Sequence, residues 1–168
     1  MKLSPFQLLH SRLIKIHVDE NPVNPFHKEG VSVIRRPKDM FEIEQFAQIK
    51  LQSQDSKKSS AEDESNEKIY FAILGLRTTD DSVKQIPYSF EIVISGVIHA
   101  EPIEGKTDAE NADSAAQYSY SLLYGQMRET LSNLTSRMKW GAFILPTVSF
   151  MDAKFPQKND EIVRKAEQ

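Results

Sequence analysis

Four histidines and 24 carboxylates, with no cysteine, are the raw material for chemistry in this 168-residue chain. The missing thiols exclude a cysteine nucleophile, a thiolate metal site and a disulfide scaffold. His10, His17, His27 and His99 form no i, i+4 pair, and none stands beside an acidic residue at metal-ligand spacing. His17 and His99 fall at outward positions of strands, where an imidazole is a surface group. Gly75 and Gly96 are isolated, so no glycine-rich loop cradles a phosphate, and no serine sits in a nucleophile elbow. Asp80 and Asp81 lie together in a turn, where aspartate bonds its own backbone. Asn133-Leu134-Thr135 matches a glycosylation sequon but falls inside a helical pattern. These residues point to no enzyme, no metal and no cofactor.

The bulk properties narrow the partners. A net charge of -3 and a pI near 5.8 leave no basic footprint for nucleic acid, and Arg35-Arg36 alone is no patch. No apolar run approaches the roughly 20 residues of a membrane helix. Ser4, Pro5 and Gln7 interrupt the start of the chain where a signal peptide would be apolar. The expectation is one soluble, cytoplasmic domain over residues 1–168.

The elements that would position any site follow from periodicity. Residues 13–18 alternate, with Ile14, Ile16 and Val18 against Lys15 and His17, and residues 41–51 alternate again through Phe41, Ile43, Ala47, Ile49 and Leu51. Residues 54–68 are too polar to order themselves and read as a flexible loop. Residues 69–76 (IYFAILGL) are apolar on both parities, the pattern of a central strand covered on both sides, and 87–98 alternate through Tyr88, Phe90, Ile92 and Ile94. Four strands in succession suggest an antiparallel meander. A helix begins near Ser114, with Tyr120, Leu123, Met127, Leu131, Leu134 and Met138 at spacings of three and four. This stripe is broader than one sheet face requires, so Leu123, Met127, Leu131, Leu134 and Met138 are candidates for self-association into a dimer or tetramer. Gly125 within it costs about 1 kcal/mol relative to alanine, and a closely approaching backbone would explain it. The fold class is α+β: a four-stranded antiparallel sheet packed with one long helix and a short C-terminal helix near 159–167, with a loose tail over 156–168.

The most unusual stretch is apolar. Trp140, Phe143, Ile144, Leu145, Val148, Phe150, Met151 and Phe155 crowd a segment that Pro146 and Pro156 keep from being a regular helix. Such side chains fill cores, but aromatic and methionine surface also suits a tolerant polypeptide groove.

These residues resemble the SecB export chaperones. Leu123-Tyr124, Arg128-Glu129 and Ser136-Arg137 match that family's pairs on its long helix, and Leu145, Val148, Phe150, Ala153 and Phe155 continue the match. Ile16-His17-Val18-Asp19 before Asn21-Pro22 is similar to the first strand and its exit, residues 69–76 to the third, and Phe90-Glu91-Ile92 through Gly96 to the fourth. The similarity covers about two thirds of the chain. It implies an ATP-independent holdase, assembled as a dimer of dimers, that grips unfolded polypeptides in a hydrophobic groove for protein export. Asp19 and Glu91 match acidic positions of the sheet surface that docks the translocation ATPase SecA, whereas Lys15 stands where a third acid belongs. Gly125-Gln126 in place of Pro-Tyr, Met138 in place of glycine, the insert at 23–39 and the tail also depart from the pattern. They suit a divergent branch that protects an antitoxin in a toxin-antitoxin system. The groove residues so indicated are Phe46, Ile49, Leu51, Phe71, Tyr124, Trp140, Phe143, Leu145, Val148 and Phe150. Two rival classes remain: a small-ligand carrier or enzyme that encloses a pocket with the same residues, and a structural subunit covered by a fixed protein partner.

Overall fold

The computed structural model describes residues 4–22, 27–28, 31–32, 43–51, 68–79 and 86–154. Of the expected loop at 54–68, Lys68 instead begins a strand, and the rest lies outside the described residues, as do Asp80, Asp81 and the tail with its expected short helix. Strands β1 (Phe6–Glu20), β4 (Ile43–Leu51), β5 (Lys68–Thr78) and β6 (Tyr88–Ala100) form one sheet, and β2 (His27–Lys28) pairs with β3 (Val31–Ser32) as a separate two-stranded ribbon. Among the described residues a single helix, α1 (Asp108–Thr135), follows β6.

The sheet has the order β1-β6-β5-β4 and every pair is antiparallel. The class is therefore α+β with four antiparallel strands, as expected, but only β4, β5 and β6 form a meander. β1 lies beside β6 instead of beside β4, which makes the arrangement a Greek key. Register shifts between Leu8 and His10 and between Leu13 and Lys15 mark bulges in β1. Each bulge slips the side-chain alternation by one position, so a 15-residue strand shows clean periodicity only over its second half.

One face of the sheet is covered by α1, which packs on β6, β5 and β1. Tyr70, Ala72, Leu74 and Leu76 of β5 and Phe90, Ile92, Ile94 and Ile98 of β6 meet Ala116, Leu123, Met127 and Leu131 of the helix in one core. At Gly96 the helix packs tightly: a Cβ there would lie 3.0 Å from Leu123 Cδ2 and 3.1 Å from Leu8 Cδ1. The opposite face carries no helix among the described residues, which corrects the expectation that β5 is covered on both sides. Phe71 remains 40% exposed there.

The helix starts earlier than its apolar stripe. Thr107 is the N-cap: its Oγ1 accepts from the Glu110 amide at 3.3 Å, while the Glu110 carboxylate accepts from the Thr107 amide at 2.7 Å and from its hydroxyl at 2.8 Å. Those donors hold the Glu110 carboxyl below the usual carboxylate range, the backbone bond most strongly and the hydroxyl next. A depressed folded pKa means that the box contributes above the unfolded value of about 4.3 and fades as pH falls through the lower folded value. Glu110→Ala is therefore expected to lower the thermal midpoint at pH 7 and to converge on the parent in strong acid, as read by circular dichroism at both pH values.

Gly125 has nothing within 4 Å of the position a Cβ would take, and it is exposed. No neighbouring backbone requires it, contrary to the reason suggested by the sequence. Gly125→Ala is expected to stabilise the protein by about 1 kcal/mol, measured by urea unfolding.

Candidate polypeptide-binding surface

Beyond Thr135 the chain turns and returns antiparallel along its own helix as a strap over 139–154. Helix side chains pin it at intervals. The Phe143 amide donates to Thr135 Oγ1 at 2.7 Å, the Tyr124 hydroxyl donates to the Pro146 carbonyl at 2.6 Å, and Gln117 Nε2 donates to the Ala153 carbonyl at 3.2 Å. Lys154 pairs with Asp113 at 3.1 Å. At the turn, Tyr88 ties the sheet to the strap by donating to the Gly141 carbonyl at 2.8 Å and accepting from the Trp140 amide at 3.1 Å. The Trp140 indole donates to the Asn21 carbonyl at 2.8 Å. Gly141 takes a φ of 79°, the left-handed region that favours glycine and that this reversal uses.

Aromatic packing fixes the strap's inner side. The Phe143 ring lies 5.7 Å from Phe90 and 6.2 Å from Tyr88, and Phe150 lies 6.0 Å from Tyr120 and 5.6 Å from Tyr124. Leu145 is fully buried. Burial also raises the pKa of Tyr120 and Tyr124, with Arg128 opposing the shift at Tyr124, which favours the protonated phenol that donates to Pro146.

The outer side is apolar as well. Ile144 is 58% exposed, Val148 41% and Met151 79%. Val148, Phe150 and Met151 edge an open hollow of about 470 Å³ whose other wall includes Phe6, Ile103 and Tyr118. A backbone with alternating buried and exposed apolar side chains, anchored by hydrogen bonds on one side, presents a fixed hydrophobic ridge to solvent.

The residues expected to form one groove divide among three places. Tyr124, Trp140, Phe143, Leu145, Val148 and Phe150 gather along the strap. Within that group Tyr124, Leu145 and Phe150 are buried core, Trp140 and Phe143 are half-buried, and Val148 faces out. Ile49 and Leu51 share the helix-facing parity of edge strand β4, Ile49 buried and Leu51 exposed. Phe46 and Phe71 belong to the opposite face of the sheet, where the Phe46 ring occupies the space a Cβ at Gly75 would need. Ile144 and Met151 are the exposed strap residues left out of the candidate groove. The signal for them was their alternation with Phe143, Leu145 and Phe150 along a segment that was already apolar.

The helix stripe assigned to self-association is also relocated. Leu123, Met127 and Leu131 are fully buried against the chain's own sheet, because this face of α1 covers that sheet layer. Leu134 is exposed and Met138 half-buried, both at the C-terminal end of the stripe.

No family model matches the chain, and no curated protein sequence does. Among solved structures, the chain is similar to a SecB-like chaperone. That structure is Mycobacterium tuberculosis Rv1957 in complex with a ChAD peptide from the Rv1956 HigA1 antitoxin; the match covers 86% of this chain and 91% of that one at 14% identity, with a TM-score of 0.46. A protein of unknown function from Streptococcus agalactiae matches over 84% of this chain and 97% of its own at 11% identity, with a TM-score of 0.49.

The two acids singled out as a docking surface stand on the uncovered face of the sheet, and each has a basic partner. Lys15 Nζ lies 2.6 Å from the Glu91 carboxylate, and His17 Nε2 lies 2.7 Å from that of Asp19. Glu44 on the same face pairs with Arg77. This end of the face is ionic, with carboxylates and basic groups side by side. No helix of the described residues is long and apolar enough to cross a membrane.

Proposed function

We propose that the protein is an ATP-independent holdase that keeps non-native polypeptides from aggregating by binding their apolar stretches along the strap. The observation that carries this reading is the ridge of Ile144, Val148 and Met151, exposed yet held in place by the hydrogen bonds of Thr135, Tyr124 and Gln117. A fixed ridge loses little conformational entropy when a client binds. The client does most of the ordering, and methionine adapts to whatever side chains arrive.

Between an export role and protection of a dedicated client such as an antitoxin, the sheet face favours the second. Docking of SecA on an acidic surface needs uncompensated carboxylates, whereas Glu91 here is paired with Lys15 and the neighbouring Glu44 with Arg77. Long-range attraction of a basic partner is correspondingly reduced. The test of the holdase reading is turbidity of a chemically unfolded client diluted into buffer with the protein in stoichiometric excess and no nucleotide. Suppressed turbidity is expected; aggregation at the control rate for every client tried would refute it.

A further inference from the structure

The uncovered face of the sheet has a second character, set by register. Aligned across the four strands, His10, Val97, Phe71 and Lys50 form one row, and Arg12, Ser95, Ile73 and Gln48 the next. The row after these passes through Lys15, Val93, Gly75 and Phe46, and beyond it His17, Glu91, Arg77 and Glu44 form an ionic end. The middle strands therefore carry an apolar trough of Val97, Phe71, Ile73 and Val93, capped by Phe46. An open hollow of about 470 Å³ lies over its β1 side, lined by His10, Arg12, Ile14, Phe71, Ser95 and Val97. The flanking strands carry cations: Arg12 on β1 and Lys50 on β4, both exposed. Among the described residues each carboxylate of this face is already paired, and neither Arg12 nor Lys50 has a carboxylate partner.

Two unpaired positive charges on either side of an apolar floor select for charge and shape together. Three strand spacings of about 4.8 Å place the β1 and β4 walls about 14 Å apart. A helix with its side chains is about 10–12 Å across and fits between them, so its apolar stripe would rest on Phe71 and Ile73 while carboxylates on its two flanks reach Arg12 and Lys50. From this we infer that the open sheet face is a docking site for an acidic amphipathic helix of a partner polypeptide. The site lies across the sheet from the strap and does not depend on how unfolded clients are held. A partner with basic flanks is disfavoured by the same charges that would attract an acidic one.

The experiment is a fluorescence anisotropy titration with two dye-labelled synthetic helices that share a leucine-phenylalanine stripe, one flanked by glutamates and the other by lysines. The glutamate helix is expected to bind at least about tenfold more tightly, to weaken at high salt, and to lose about tenfold in affinity to the R12E/K50E double variant. Equal binding of the two helices, or binding indifferent to R12E/K50E, overturns the inference. A change of oligomeric mass in R12E/K50E assigns the face to a second copy of the chain and overturns it too. Suppression of client aggregation is expected to be unchanged in R12E/K50E. Loss of aggregation suppression in the parent protein, with helix binding intact, would refute the holdase reading alone.

Discussion

Val148→Asp together with Met151→Asp is expected to weaken binding of an unfolded client about 100-fold while leaving the fold intact. Covering an apolar side chain of this size is worth about 1.5–3 kcal/mol, and an aspartate in its place would be pressed against apolar client surface without a partner. Two such changes exceed the roughly 2.7 kcal/mol that a 100-fold loss represents. Both side chains are exposed, so the unfolding free energy in urea should change by no more than about 0.5 kcal/mol. Anisotropy of a labelled, permanently unfolded client reads the first quantity and tryptophan fluorescence the second. Unchanged affinity in a folded double variant would remove the strap from the site.

Leu123→Ala is expected to cost about 2–5 kcal/mol of stability with no change in oligomeric mass. Leu123 is fully buried, and its Cδ2 stands against Gly96, a position with no side chain to move into the vacated space. The cavity would persist, which places the loss toward the upper part of that range. Urea unfolding measures it, and light scattering reads the mass. A loss of mass with stability retained would return this stripe to a contact between copies and contradict its placement in the core.

How far the sequence could be read depends on where each signal is local. Alternation located β4 and β6 because their side chains keep one parity against one face, and an unbroken apolar run located β5. β1 was found only over residues 13–18, since the bulge at Leu9 shifts its parity; the bulge at Ile14 also takes that side chain off the face of Ile16 and Val18, contrary to the alternation read there, and the partner of β1 was missed because β1 and β6 are joined by no hairpin. The first turn of the helix was hidden in a polar acidic stretch, although Thr107 and Glu110 spell a capping box at the proper spacing. β5 looked covered on both sides because Phe71 and Ile73 are apolar on the open parity, and no local pattern says whether a layer lies above them. The candidate groove mixed core with surface for the same reason: Tyr124, Leu145 and Phe150 cannot be told from Val148 until the strap is seen to run back along the helix. Pairing of Glu91 with Lys15 was within reach, because Lys15 had already been noted as the misfit in an acidic pattern.

The most direct measurement places a photoreactive side chain at position 148 on the strap, or at position 48 on the open sheet face, and exposes each protein to a labelled unfolded client. The account predicts strong cross-linking from position 148 and little from position 48. Efficient cross-linking from position 48 with none from 148 would contradict it, because the client would then be held on the face away from the strap.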